Sequence, residues 1–309
     1  MPRSRVWPLS GLATWVEDDV IHISVVFTWQ LAKADRLQKA LKKFNLPVKV
    51  GGPAVDLLFG KPVNGAKALR HHNSDATFTS RGCIRKCPFC AVPIIEGQFR
   101  ELTSWPVGRL ICDNNLLAAS QGHFDNVIDR LKPVKGIDFN QGLDARLLTP
   151  QHATRLAELD LHMVRLAFDN VKYETSFVDA FRILTNAGIP KRKISVYVLI
   201  GFDDTPEDAL YRLRLVKSLG AWPNPMRYQP LWVKKRNEYT HPNWTHKELI
   251  RFSRYWQNLR ITKNIPFEEF NYPCTNPSAS RSGGTLGRSS GNTTTSGVPL
   301  ACAPPPSTR

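Results

Sequence analysis

Three of the six cysteines stand in one short run, CIRKCPFC over residues 83–90, while Cys112, Cys274 and Cys302 are scattered singly along the chain. Cys83, Cys87 and Cys90 thus follow the spacing C-x3-C-x2-C. Thiols clustered in this way point to metal ligation in a reducing compartment rather than to disulfides. Three close thiolates can wrap three corners of an iron–sulfur cubane and leave its fourth iron open for chemistry. Zinc is the competing metal, but a structural zinc site wants a fourth ligand, which Cys112 or His71 would have to bring, and no paired C-x2-C follows. A purely structural cluster is the third reading.

A chain of 309 residues with 42% hydrophobic residues can bury one sizeable core, or one core with a small appendage. Its 42 Lys+Arg against 26 Asp+Glu give a formal charge of +16, which draws polyanions such as RNA or DNA by long-range attraction. The basic residues fall in groups, Lys39 to Lys43, Lys191 to Lys193 and Lys234 to Arg236, each of which also reads as solvated surface. The opening MPRSRVWPLS is interrupted by Pro8 and followed by Glu17, Asp18 and Asp19, so it lacks the apolar stretch of a signal peptide. No run of about 18 apolar residues suggests a membrane span. A cytoplasmic protein with no membrane partner is the expectation.

Residues 20–29 read as a strand, Leu31, Ala34, Leu37, Leu41 and Phe44 recur at helical spacing, and Val48 to Val50 form a second strand running into Gly51-Gly52-Pro53. This is one small βαβ segment. From about 76 to 232, short apolar runs alternate with amphipathic ones, the pattern of parallel strands with crossover helices. Strands are predicted near Ala76–Ser80, Leu110–Asp113, Gly136–Asn140, Met163–Phe168, Ile194–Ile200 and Met226–Pro230. Thr149-Pro150 and Thr205-Pro206 mark helix starts, and Gly188 and Gly220 mark helix ends. The fold class is α/β, a partial (β/α)6 TIM-like barrel. Residues 244–262 form a final helix, and the Ser-, Gly-, Thr- and Pro-rich stretch 275–309 is expected to be a disordered tail. The expected divisions are 1–70, 71–235, 236–274 and 275–309.

The run TSRGCIRKCPFCAVP resembles the signature loop of radical SAM enzymes, most closely the branch that includes methylthiotransferases and cobalamin-dependent members; the likeness extends over about residues 76–232. The resemblance implies a [4Fe-4S] cluster on Cys83, Cys87 and Cys90 whose open iron takes the amino and carboxylate groups of S-adenosyl-L-methionine. It also implies an electron donor such as flavodoxin or ferredoxin, and a 5′-deoxyadenosyl radical that abstracts hydrogen from a substrate. Phe89 matches the aromatic residue that lies by the adenine. Asp113, Asn114 and Asn115 match polar groups for the methionine amino end, Gln141, Asp144 and Arg146 contacts to cofactor or substrate, and Asp169 the acceptor of ribose hydroxyls. Ile200 and Gly201 match the place where the backbone approaches adenine, while Tyr228 and Gln229 end the sixth strand. Each has a plainer use as well, in helix caps, turns, surface ion pairs or packing. Together they fall at C-terminal strand ends, the face where barrel enzymes build their sites.

The segment 20–55 is similar to the later half of a cobalamin-binding domain, but the D-x-H-x-x-G motif is missing and His22 lies within a predicted strand, so no cobalamin is expected. Residues 1–75 hold no cysteine for a second cluster. Cys112, in an apolar strand, reads as core. The expected function is radical SAM catalysis on an unidentified substrate. The alternative is a non-catalytic nucleic-acid-binding protein with a structural cysteine metal site.

Overall fold

The computed structural model describes residues 11–59 and 66–271, so the expected tail 275–309 lies outside the described residues. Asp18 and Asp19 both take positive φ, 50° and 55°, the conformation of a tight two-residue hairpin turn that short polar side chains tolerate. That turn joins β1 (Leu12–Glu17) to β2 (Val20–Val25) in an antiparallel pair with Trp15 opposite His22. Strand β1 was not foreseen, because Glu17-Asp18-Asp19 drew attention as a charge break rather than as a turn. The predicted strand 20–29 is shorter, since Thr28–Gln30 already coil into the helical turn that opens α1 (Leu31–Leu41). Strand β3 (Val48–Gly51) then returns parallel to β2, completing the expected βαβ unit in a three-stranded sheet ordered β1-β2-β3. Ala34 of α1 and Ala54 of α2 (Pro53–Leu58) pack with Leu12, Ile23 and Val25 in a small core.

Helix α3 (Ala66–His72) touches both β1 and the next strand, and His72 Nε2 lies 2.9 Å from Ser24 Oγ. The chain then builds a second sheet. Strands β4 (Ala76–Thr77), β7 (Leu110–Ile111), β8 (Ile137–Phe139), β9 (Leu161–Ala167), β10 (Ile194–Ile200) and β11 (Trp222–Arg227) lie side by side in chain order, all parallel. Between β4 and β7 the chain leaves the sheet to pair β5 (Ser80–Arg81) with β6 (Arg100–Glu101), an antiparallel ribbon that brackets the cysteine run and α4 (Val92–Ile95). The expected strand 76–80 is therefore two strands. Strand β11 begins four residues before its expected Met226, across Pro223 and Pro225. Prolines are tolerated there because β11 is an edge strand with one side unpaired in the sheet.

The crossovers are α5 (Gln121–Leu131), α6 (Pro150–Ala157), α7 (Glu174–Asn186) and α8 (Pro206–Ser218). Thr149 and Thr205 cap α6 and α8, accepting from the amides of His152 and Asp208, with proline at the first helical position. Gly188 and Gly220 take positive φ after α7 and α8, and the following amides reach back to Leu184 and Val216. The strands alternate two faces. Ile137 and Phe139, Val164, Leu166 and Phe168, and Ile194, Val196, Val198 and Ile200 all enter the main core with the helices. The opposite face carries Asp138, Arg165 and Tyr197. The predicted final helix bends into α9 (His246–Gln257) and α10 (Leu259–Thr262) at Asn258, whose side chain instead donates to Arg254 O. No helix among the described residues is long and apolar enough to cross a membrane.

Arg212 of α8 fastens the C-terminal end of this sheet. It is fully buried and donates to Phe168 O at 3.1 Å, Leu199 O at 2.9 Å and Asp204 Oδ2 at 2.6 Å. Asp204 in turn accepts from Gly201 N, Phe202 N and Trp244 Nε1, so one ion pair joins β9, β10, their outgoing turn and the approach to α9. Removing the cation strands a buried carboxylate and two carbonyls. Arg212→Met is expected to destabilise the fold by roughly 3–5 kcal/mol in urea denaturation. A loss below about 1 kcal/mol, the worth of an exposed pair, would show that the guanidinium does not fasten these strands.

Candidate functional site

The cysteine run is anchored by two carboxylates. Asp113, just beyond β7, is buried and accepts from Thr79 N at 2.6 Å, from Thr79 Oγ1 and from Ser80 Oγ at 2.9 Å. Burial raises its pKa, and the hydrogen bonds from Thr79 and Ser80 only partly offset that rise. Glu96, just beyond α4, receives Arg81 Nε at 2.9 Å, Gly82 N at 2.9 Å and Asn114 Nδ2 at 2.8 Å, all on Oε2. Arg81 also lies over the Phe78 ring. Gly82 is obligatory between these anchors, because its φ is +74° and a Cβ would collide with the carbonyl oxygen of Gln98.

From this base Cys83, Cys87 and Cys90 extend as half-buried free thiols, with Cys90 N bonded to Cys87 O. Cys83 Sγ receives Arg85 N at 3.3 Å and Asn115 Nδ2 at 3.5 Å. Burial raises the Cys87 thiol, while the charge and hydrogen bond of Arg146 oppose that rise. Cys90 is pushed by burial to about 11. Arg146 is itself held by Asp144, with Nε 2.7 Å from Oδ1, and lies over the Tyr173 ring. Arg85 donates to the other Asp144 oxygen at 2.9 Å. Burial raises Asp144, but the bonds from Arg146 and Arg85 outweigh it and leave the carboxyl below its ordinary range. A charged relay therefore ties the cysteine loop to the segment after β8. Among the described residues, no three His, Cys, Asp or Glu side chains are gathered as a metal-ligand set, although the three thiols lie near enough for their charges to act on one another.

The remaining sequence-predicted residues divide into two groups. Phe89 meets Phe202 edge-on at 5.7 Å, Phe202 meets Tyr228 at 4.8 Å, and Tyr228 meets Tyr239 at 5.4 Å, so an aromatic chain leads away from the cysteine loop. Asp169 accepts from Leu199 N at 3.1 Å and lies close enough to Cys87 and Cys90 to act on both electrostatically. Gln141 is half-buried. Others are committed to the fold. Both oxygens of Asp113 serve the loop, Ile200 is in the main core, and Gln229 spends its amide on Asn237. A Cβ on Gly201 would come within 2.8 Å of Leu249 Cδ2, so its missing side chain admits α9. Cys112 is core, packed with Leu69, Ala76 and Leu110, and His71 stacks on Trp15; neither joins the cysteine run.

Sequence reasoning missed Glu96, Phe202 and Asn140. Glu96 carried no spacing signal, being an isolated acid after an apolar turn. Phe202 follows Gly201 directly, and an aromatic residue leaving a strand end was a usable clue. Asn140 is fully buried, its backbone carbonyl accepts from Tyr197 OH at 2.6 Å, and its amide has no partner among the described residues. Beside it Asp138 and Arg165 form a buried ion pair. The chain matches no protein-family model, and no curated protein resembles it at a significant level.

Burial raises Asp169 from 3.8 to about 6, against the charges of Arg212 and Arg146. The folded state therefore holds this proton more tightly than the unfolded chain. The resulting stabilisation is fully present below pH 3.8 and is lost as pH rises through about 6. Asp169→Asn keeps a neutral acceptor for Leu199 N. Thermal melting is expected to show the variant more stable than wild type by on the order of 1 kcal/mol at about pH 8, with the gap closing by about pH 4. A gap independent of pH would mean that this carboxyl does not titrate with folding.

Proposed function

We propose that the protein is a radical SAM enzyme in which Cys83, Cys87 and Cys90 hold a [4Fe-4S] cluster. The observation that carries this reading is the run of three half-buried thiols on the β5 exit loop, of which Cys87 lies beside Arg146, after β8, and Cys87 and Cys90 both feel Asp169, after β9. The donor set suits a cluster with one open iron, because the loop supplies three sulfurs while Cys112 and His71 are occupied elsewhere. The amide of Asn115 at Cys83 is the kind of N–H to sulfur bond that tunes cluster potential. Held by Cys83, Cys87 and Cys90, such a cluster would, once reduced, supply the one electron needed to cleave S-adenosyl-L-methionine into methionine and a 5′-deoxyadenosyl radical able to abstract hydrogen from a substrate.

The protein's own groups would position that cofactor. Arg146 opposes, without cancelling, the rise that burial gives the Cys87 thiol. Asn114, with its amide nitrogen committed to Glu96, keeps a carbonyl oxygen for an ammonium group. Asp169 can accept from ribose hydroxyls, and Phe89 with Phe202 offers aromatic surface to a purine. We read the six parallel strands as an open (β/α)6 TIM-like barrel, with the face of Asp138, Asn140 and Arg165 as its interior. Asp113 serves the loop in this reading.

Anaerobic reconstitution with iron and sulfide, followed by dithionite and S-adenosyl-L-methionine, is expected to release 5′-deoxyadenosine. Cys87→Ala should lose both the acid-labile sulfide and the product. Glu96→Ala, which frees Gly82 N, Arg81 and Asn114, should lower iron loading while the protein remains folded by circular dichroism. Full loading with no cleavage product, or zinc retained in place of iron, overturns the proposal.

A further inference from the structure

One of the basic groups in the sequence, Lys234 to Arg236, takes no part in the cysteine site, and the fold sets its loop against the start of α1. The Thr28 hydroxyl, at the turn into α1, is shared between Leu231 O at 2.9 Å and Val233 O at 2.8 Å, more than two hundred residues along the chain. This bond holds the loop after β11 against the start of α1. The α1 side contributes exposed Lys33 and Arg36, and the loop contributes exposed Lys234 and Lys235. Trp232 lies between the two loop anchors in sequence and is 56% exposed. Phe27 and Trp29 stack at 4.5 Å on either side of Thr28.

The acids of these segments do not neutralise those cations. Asp35 pairs with Lys39 at 2.9 Å, and Glu238 accepts from the backbone amide of Lys235 at 3.1 Å. Among the described residues, Lys33, Arg36, Lys234 and Lys235 have no carboxylate at ion-pair distance. Unneutralised cations beside an exposed indole suit a single-stranded polyanion, whose phosphates meet the lysines while an unpaired base stacks on the ring. A duplex would leave the indole without a base face. Tyr228, three residues before the anchored Leu231, contacts Phe202, which contacts Phe89 of the cysteine loop.

We propose that this surface binds single-stranded nucleic acid alongside the cysteine site. That the bound strand is also the substrate rests on the radical SAM reading; the binding itself needs neither cluster nor reductant. Its failure and the failure of that reading are therefore distinguishable. The test is fluorescence anisotropy of the full chain, without iron or dithionite, on a labelled single-stranded RNA of about 16 nucleotides. Trp232→Ala is expected to weaken binding about tenfold and Trp232→Phe to restore most of it. Lys234→Ala with Lys235→Ala is expected to lower the slope of log affinity against log salt by about 1.4, two phosphate contacts' worth for a single strand. Lys191→Ala with Arg192→Ala, at the opposite end of β10, should leave binding within about twofold of wild type. Equal loss from both double variants, no binding at about 50 mM salt, or tighter binding to duplex DNA or phosphatidylserine vesicles overturns the proposal.

Discussion

The cysteine loop depends on two carboxylates buried at its root. A carboxylate removed from water is tolerated only when its lone pairs are met by donors, and Asp113 and Glu96 are met mainly by groups of the loop they anchor. Asp113 holds the chain as it leaves β4, and Glu96 holds Arg81 and Gly82 immediately before the first thiol. Between those bonds and the packing around Gly82 the first turn has one conformation, and the sulfurs stand beyond it. Asn114 binds Glu96, so the segment after β7 is set by the same oxygen. The anchor therefore places two neighbouring strand exits together.

A second constraint is the unequal chemistry of the two sheet faces. The helix-covered face is apolar from β8 to β10, whereas the other buries Asp138 with Arg165 and places Tyr197 on the carbonyl of Asn140. Burying an ion pair adds little net stability, because desolvation offsets attraction, so such a pair is weak evidence of a role in stability alone. The Asn140 amide, without a partner among the described residues, costs more still. A face of this kind gathers buried polar groups beneath the strand ends where Arg146 and Asp169 lie.

The parts of this arrangement legible in the sequence were those with local periodicity. The strands Ile194–Ile200 and Val48–Val50, the threonine caps at 149 and 205 and the glycine stops at 188 and 220 all follow from residue type and spacing. The three cysteines stood out by their spacing, whereas Arg146 and Asp169 were singled out only by the resemblance to a known family. Contacts made at a distance were not. That Glu96 grips Gly82, that Asp113 is spent on Thr79 and Ser80, and that Leu249 fills the space at Gly201 depend on which turns meet in three dimensions. Strand β1 failed on a different ground, since its turn is made by two aspartates rather than by the more familiar glycine.

The contact between Gly201 and Leu249 also bears on the order in which the molecule can be assembled. The turn after β10 is covered by a residue of α9, and Trp244, just before that helix, bonds to Asp204 in the same turn. Both partners come from later in the chain than β11, so during synthesis the whole parallel sheet can exist before its last wall arrives. Until residues 244–257 have emerged, the end of β10 is an uncovered apolar edge, the kind of surface that chaperones hold and that neighbouring nascent chains can stick to. The final helix is thus a closing piece of the fold.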